Sequence, residues 1–312
     1  MAKAKQIVCD EPASDPQSWL AEVLLVRFDE AAGYAEDALN PDDIKGVHNM
    51  RVATRRLRSA LRDFEEVIDV LAKNLRKDLK KLSDSLGAVR DQDVAIAALE
   101  QFSTETDDEK IRLGIENLIA ERREIRKKAF RDLNKTLSPK NLKDLRSKLS
   151  ASLNPTLKQR QLFSPLTIAE AGRKAIIARS TDLFERGDVI YQPDRNNALH
   201  KMRITAKRLR YAIELFAACL GKEVVPFARE GAKLQGHLGE LHDCDLWIED
   251  LGERLKDRES GKNIREAEAW LLAEFVKKRS KEYRAALELW VEWEQTGFDK
   301  QLRASILESE VR

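Results

Sequence analysis

The chain writes one basic helix twice. Residues 48–62 read HNMRVATRRLRSALR and residues 200–214 read HKMRITAKRLRYAIE, an offset of 152 positions (200 − 48). That duplication asks for two related units in tandem, each built around its own copy, and excludes a solenoid of short repeats. A helix advances about 100° per residue, which puts His48, Arg51, Arg55, Arg58 and Arg62 within an arc of roughly 80°. Met50, Leu57, Leu61, Phe64 and Ile68 fall near the opposite side. The second copy keeps the design, with His200, Arg203, Lys207 and Arg210 on one face and Met202, Leu209, Ile213 and Phe216 on the other. Each copy is therefore an amphipathic helix with a dry face and a face of stacked cations. Glu214 stands where Arg62 stood and breaks the second stripe.

Stacking like charges at these spacings disfavours a lone helix by a few tenths of a kcal/mol per pair, on the order of magnitude seen in model helices. A solvated surface usually mixes signs, as the rest of this chain does. Two helices that each concentrate one sign on a matched stripe read as a binding surface for a polyanion. The chain as a whole is nearly neutral, with 56 Lys and Arg against 54 Asp and Glu. Attraction for an anion must then come from local clustering and not from the overall field.

Length and composition agree with a helical reading. The 312 residues can bury a sizeable core, and 35% charged residues with only 6% aromatics favour long helices with charged surfaces. Cys9, Cys219 and Cys244 are too scattered for a disulfide framework or a CxxC metal site. With no signal peptide and no apolar run of spanning length, the expectation is a cytoplasmic protein without a membrane partner.

Residues 1–14 read as a flexible leader. A first helix is expected over 15–39, capped by Asp15 with Pro16 at its first position. Leu20, Val23, Leu24, Phe28 and Ala31 recur along it at helical spacing. After Asn40-Pro41-Asp42 the basic helix runs to about 70. Helices over 73–102, 107–137 and 139–153 follow. The second half repeats the plan, with helices over 165–186, 197–220, 223–255 and 261–295 and a short one over 299–308. No stretch sustains strand alternation. The fold class is thus all-α, with two tandem pseudo-symmetric helical bundles over 15–153 and 166–296, a linker over 154–165 and a tail over 297–312.

The offset persists beyond the first motif. Leu86-Gly87 aligns with Leu238-Gly239, and Asp91-Gln92-Asp93 aligns with Asp243-Cys244-Asp245. With one extra residue in the next loop, Arg126 aligns with Arg279. Lys77 and Lys81 align with Arg229 and Lys233, whereas their neighbours Arg76 and Lys80 align with Ala228 and Ala232. Charge kept at two positions and lost at two adjacent ones assigns Lys77, Lys81, Arg229 and Lys233 to the basic surface, and Arg76 and Lys80 to solvent.

Arg suits phosphate because its planar fork donates two hydrogen bonds, and Lys adds a point charge. Nucleic-acid sites usually interleave aromatics for base stacking. Near the stripes only Tyr211 is aromatic, and Ser59 replaces it in the first copy. A ligand with phosphates and no bases follows. His48 and His200 open the two stripes, where each can donate to an anion or orient the Arg three residues on. His237, His242, Asp243 and Asp245 could be read as a metal cluster, but Arg90 and Ser85 replace the two histidines in the first copy. A two-copy metal site is thereby excluded, and no cofactor is expected. Asp91, Asp93, Asp243 and Asp245 are better read as partners that hold an Arg in place or cap a helix distortion, with a divalent ion bridging them to bound phosphate left open. Neither a Walker loop, a GxSxG elbow nor a Cys–His nucleophile pair is present, so the expectation is a protein without catalysis.

The paired motifs HNMRVATRRLRSAL with LGAVRDQDV, and HKMRITAKRLRYAI with LGELHDCDL, resemble the CHAD domain, the conserved histidine α-helical domain. The resemblance spans about residues 15–295. It implies two pseudo-symmetric helical bundles in one compact unit around a basic cleft or pore. It also implies binding of inorganic polyphosphate and association with polyphosphate granules. The polyphosphate-binding residues so expected are His48, Arg51, Arg55, Arg58, Arg62, Lys77, Lys81 and Arg126 in the first half. In the second they are His200, Arg203, Lys207, Arg210, Arg229, Lys233 and Arg279. Polyphosphate-metabolising enzymes are further candidate partners. The alternative readings are a nucleic-acid-binding helical module and a regulatory partner of a polyphosphate or triphosphate hydrolase.

Overall fold

The apolar residues fall where helical spacing puts them. In the computed structural model of the chain, which describes residues 4–5, 7–9, 16–63, 73–158, 167–256 and 262–308, every long element is an α-helix. The described residues contain no strand. The first half comprises α1 (Pro16–Ala32), α2 (Ala35–Leu39), α3 (Ile44–Asp63), α4 (Lys73–Glu105), α5 (Glu109–Thr136) and α6 (Pro139–Lys158). The second comprises α7 (Ile168–Phe184), α8 (Asn196–Leu220), α9 (Val225–Lys256), α10 (Lys262–Thr296) and α11 (Phe298–Glu308). Two 3-10 turns, Gly187–Tyr191 and Lys222–Val224, precede α8 and α9.

The duplication reaches further than the motifs do. α1 and α7 are both 17 residues long and start 152 positions apart (168 − 16). The same offset separates α2 from the first 3-10 turn, α3 from α8, and α4 from α9. α5 and α10 start 153 positions apart, after the extra loop residue. An ion pair shares the spacing as well: Arg27 to Glu30 at 2.7 Å and Arg179 to Asp182 at 3.4 Å, each within one turn of its helix.

Compact packing groups Met1–Glu100 with Leu118–Ile168, and Gln101–Asn117 with Ala169–Arg312. The turn between α4 and α5 therefore belongs to the second group. There Phe102 meets Trp270 and Phe275 edge to face. In the first unit α3 packs on α1 and α2, and α1 on α6; in the second α9 packs on α8 and α10. Met50, Leu57 and Leu61 of α3 are buried, as are Met202, Leu209, Ile213 and Phe216 of α8. Each such side chain contributes about 1.5–3 kcal/mol relative to exposure. Phe64, Ile68 and most of the expected linker lie outside the described residues.

Three boundaries differ from expectation. The helix expected over 15–39 breaks at Gly33 and Tyr34, where Gly33 N donates to Asp29 O and the next helix starts two residues on. α6 continues to Lys158, into the expected linker. The leader is tied down at two points, because Trp19 Nε1 donates to Val8 O and Arg27 Nη1 donates to Lys5 O, each at 2.9 Å. Glu30, 3% exposed, receives both Arg27 and Arg56 and so clamps α1 to α3. α8 stops at Gly221, whose φ of 96° is open to glycine at little cost.

Candidate anion-binding stripes

The geometry repeats best around one arginine and one glycine. In the first unit the Arg51 guanidinium lies across Gly87, so that a Cβ there would sit 3.6 Å from Nη2. Arg51 Nη2 also donates to Asp91 Oδ1 at 3.2 Å. In the second unit Arg203 lies across Gly239, and a Cβ would sit 3.3 Å from Nε. In both copies a guanidinium from the neighbouring helix lies over the glycine, at ordinary contact distance for a Cβ at Gly87 and closer than that at Gly239. A guanidinium already held in one orientation loses less entropy on meeting an anion.

The second Asp of each Asp-x-Asp does the other expected job. Asp93, with its side chain 1% exposed, accepts from Arg126 Nε at 2.6 Å. Asp245 accepts from Arg279 Nε at 2.5 Å. Arg279 Nη2 donates further to Pro193 O and Asn196 Oδ1. Arg126 and Arg279 are thus bound to buried carboxylates, at matched positions in the two units.

Beside Arg51 and Arg203 stand the two histidines. His48 is half-buried, and burial lowers its pKa first, followed by the charge of Arg90 and then those of Arg51 and Arg55. His200 faces His242, with ring centroids 3.8 Å apart. Burial, then His242, Arg203 and Lys207, push the His200 pKa down to about 4. His242 is lowered by burial and by Arg203. At neutral pH these imidazoles are uncharged, and a phosphate nearby would oppose the shift by favouring the charged form. Arg90 and His242 occupy equivalent positions against the two histidines. Their alignment was visible in the sequence, but only as an argument against metal.

The remaining candidates divide by exposure. Arg55, Arg58, Arg62 and Lys207 are half-buried on α3 and α8. Lys77, Lys81, Arg229 and Lys233 are exposed on α4 and α9, with Lys233 held by Glu230 at 2.7 Å. Arg210 differs from its counterpart Arg58. It is 5% exposed, its Nε lies 3.3 Å from Glu214 Oε1, and its guanidinium sits 4.5 Å over the Tyr211 ring. It is the candidate least open to an external ligand.

Three of the four residues considered as a metal cluster face different partners. His237 Nδ1 meets Glu282 Oε2 at 2.8 Å, His242 meets His200, and Asp245 meets Arg279. Burial pushes the Cys244 thiol up to about 12, so it stays protonated at neutral pH. Among the described residues no helix is long and apolar enough to cross a membrane.

The chain is 31% identical over 228 residues to an uncharacterized protein of Mycobacterium tuberculosis. The match covers 69% of this chain but 41% of that relative, so the chain spans about two-fifths of its length. The fold is similar to the crystal structure of the CHAD domain from the plant Ricinus communis, with a TM-score of 0.74 and 24% identity over 91% of this chain and 95% of that one. It is also similar to PptA from Streptomyces chartreusis, with a TM-score of 0.62 and 16% identity over 89% and 99%. The family model of the CHAD domain matches residues 22–252, both stripes included, and the chain belongs to the CHAD domain family.

Proposed function

We propose that this protein binds inorganic polyphosphate through its two cationic stripes, without transforming it chemically. The observation that carries the reading is the guanidinium preset over a glycine in both units, Arg51 on Gly87 and Arg203 on Gly239. A linear polyanion rewards repeated, prearranged cations, each worth little alone and each sensitive to salt. Tyr211 supports a ligand without bases: it is 6% exposed beneath Arg210 and offers no face for stacking. Affinity of this kind would recruit the protein to polyphosphate granules in the cytoplasm.

The test is titration calorimetry with long-chain polyphosphate at physiological salt, with single-stranded RNA of equal phosphate count as competitor. Tight binding that RNA does not displace is the expected result. Arg51→Ala combined with Arg203→Ala should weaken binding at least about tenfold, since two charge-assisted contacts are removed, with helicity unchanged. Equal or stronger RNA binding would put a nucleic-acid module in its place. Release of orthophosphate with added divalent metal would overturn the non-enzymatic part.

A further inference from the structure

The residues set against the two stripe histidines differ in one respect: one carries a permanent charge and the other does not. In the second unit His200 and Arg203, one turn apart on α8, face His242 and Gly239, one turn apart on α9. The two imidazoles touch, with ring centroids 3.8 Å apart and planes 42° apart. His200 Nδ1 is buried with no hydrogen-bond partner among the described residues, so the empty pair is short of one hydrogen bond. In the first unit Arg90 takes the position of His242, with Arg51 over Gly87 one turn back. The Arg90 charge acts on His48, and among the described residues no carboxylate pairs with Arg90.

Two imidazolium rings in contact repel, so such a pair takes a first proton far more readily than a second. Empty, it takes none at neutral pH. Burial disfavours charge on both rings, Arg203 opposes it on both, and Lys207 opposes it on His200. From α9, Asp245 favours charge on His242, but that carboxylate is already engaged by Arg279 of α10. A phosphate laid on Arg203 supplies the missing negative charge, and an imidazolium N–H then donates to it. The proton arrives with the anion and leaves with it.

We propose that Arg90 and His242 are matched binding residues for the polyanion and that they make the two units differ: the first offers a fixed positive charge, and the second takes up about one proton as it binds phosphate. This deepens the polyphosphate reading and rests on it. The second subsite then grips weakly at neutral pH and more tightly in acid, while the first holds throughout. Uptake averaging about half a proton between about pH 7.5 and 5.5 corresponds to about tenfold in affinity.

Calorimetry of the full chain with long-chain polyphosphate, at about pH 7.5 and 5.5 and in buffers of different ionisation enthalpy, tests this. A long chain has few terminal groups to titrate, so the uptake reports the protein. Wild type should bind about tenfold more tightly at the lower pH, with proton uptake to match. His242→Arg should bind more tightly than wild type at the higher pH, gain less than about threefold on acidification and lose at least about half of the uptake. Arg90→His should bind more weakly than wild type at the higher pH and take up more protons. Each variant places at one position the residue that the other unit carries there, and circular dichroism verifies the fold. Wild type alone provides a second readout, because its four histidines give ring signals that NMR can follow one by one. His200 titrates near 4 in the free protein. Its midpoint should rise by at least about one pH unit with polyphosphate bound. Equal proton uptake in all three proteins, or an unmoved His200 midpoint in the polyphosphate complex, overturns the proposal and leaves the stripe reading standing. An absence of long-chain binding by wild type at both pH values overturns the stripe reading, and this proposal with it.

Discussion

Replacing Asp93 by alanine should destabilise the first unit by about 3–5 kcal/mol, the cost of leaving one member of a buried ion pair behind. The Asp93 side chain is 1% exposed and that of Arg126 is 15% exposed, with 2.6 Å between Oδ1 and Nε. Asp93 Oδ2 and Arg126 Nη2 are buried without another hydrogen-bond partner among the described residues. Arg126 therefore has little to fall back on besides the Phe130 ring 5.8 Å away. Asp245→Ala should cost less, about 1–3 kcal/mol, because Arg279 keeps hydrogen bonds to Pro193 O and Asn196 Oδ1. Replacing both members, Asp93→Leu with Arg126→Met, should return to within about 1 kcal/mol of wild type, since apolar substitutes avoid the desolvation of both charges.

Urea unfolding followed by circular dichroism gives the free energies. Hydrogen exchange on α4 and α5 locates the loss, and the double-mutant cycle isolates the coupling. Asp93→Ala within about 1 kcal/mol of wild type would refute the reasoning. So would a double variant no more stable than the single one. The same variants separate two roles for Arg126. As a staple, it should affect polyphosphate affinity only in proportion to lost structure; as a ligand-binding residue, its removal would weaken binding at unchanged stability.

Two further outcomes follow from the site geometry. Gly87→Ala puts a methyl at ordinary contact distance from Arg51 and should stabilise α4 by up to about 1 kcal/mol through helix propensity. Gly239→Ala, at 3.3 Å from Arg203 Nε, should displace that guanidinium and weaken polyphosphate binding several-fold, read by calorimetry and urea unfolding together. The histidines set the pH dependence. His200 titrates near 4 when folded against 6.5 as a free side chain, so the unfolded chain binds more protons in that window. Its contribution to stability is then full above about 6.5 and is lost as pH falls toward about 4. A bound polyanion raises the same pKa, so binding should take up protons and tighten between pH 7 and 5. Calorimetry at pH 6 in buffers of different ionisation enthalpy measures that uptake, and His200→Gln should remove part of it.

Periodicity exposed the helices and the dry faces because helix burial depends on local spacing, which the sequence carries directly. The carboxylate partners of Arg51 and Arg126 were legible for a second reason: comparing copies filtered out residues that merely happened to be charged. The residue-by-residue match of α1 to α7 escaped notice because their shared role is packing, and different side-chain sets fill equivalent volumes. Trp19, Leu20 and Phe28 of α1 correspond in sequence to Ala171, Gly172 and Ser180 of α7. Arg210 was misjudged by the wheel alone. Its face is right, but Tyr211 and Glu214 close over it, and both are second-copy substitutions whose joint effect needs three dimensions.

The two units then divide one problem. A stripe of like charges costs folding energy in proportion to how firmly it is held, and a loose stripe loses that advantage to ordering entropy when a ligand arrives. The protein resolves this by tying some cations and presenting others. Arg126 and Arg279 are bound to buried Asp93 and Asp245, which steadies the helix pairs. Arg51 and Arg203 lie over glycines, and Arg51 also meets a solvent-exposed carboxylate. The Asp91 contact is worth at most about 1 kcal/mol in that setting, weak enough for a phosphate oxygen to replace it. Histidines kept neutral beside them avoid adding repulsion in the empty state, yet can charge when an anion is near. On this argument the acids of the Asp-x-Asp motifs matter as much as the arginines, because they decide which cations remain exchangeable.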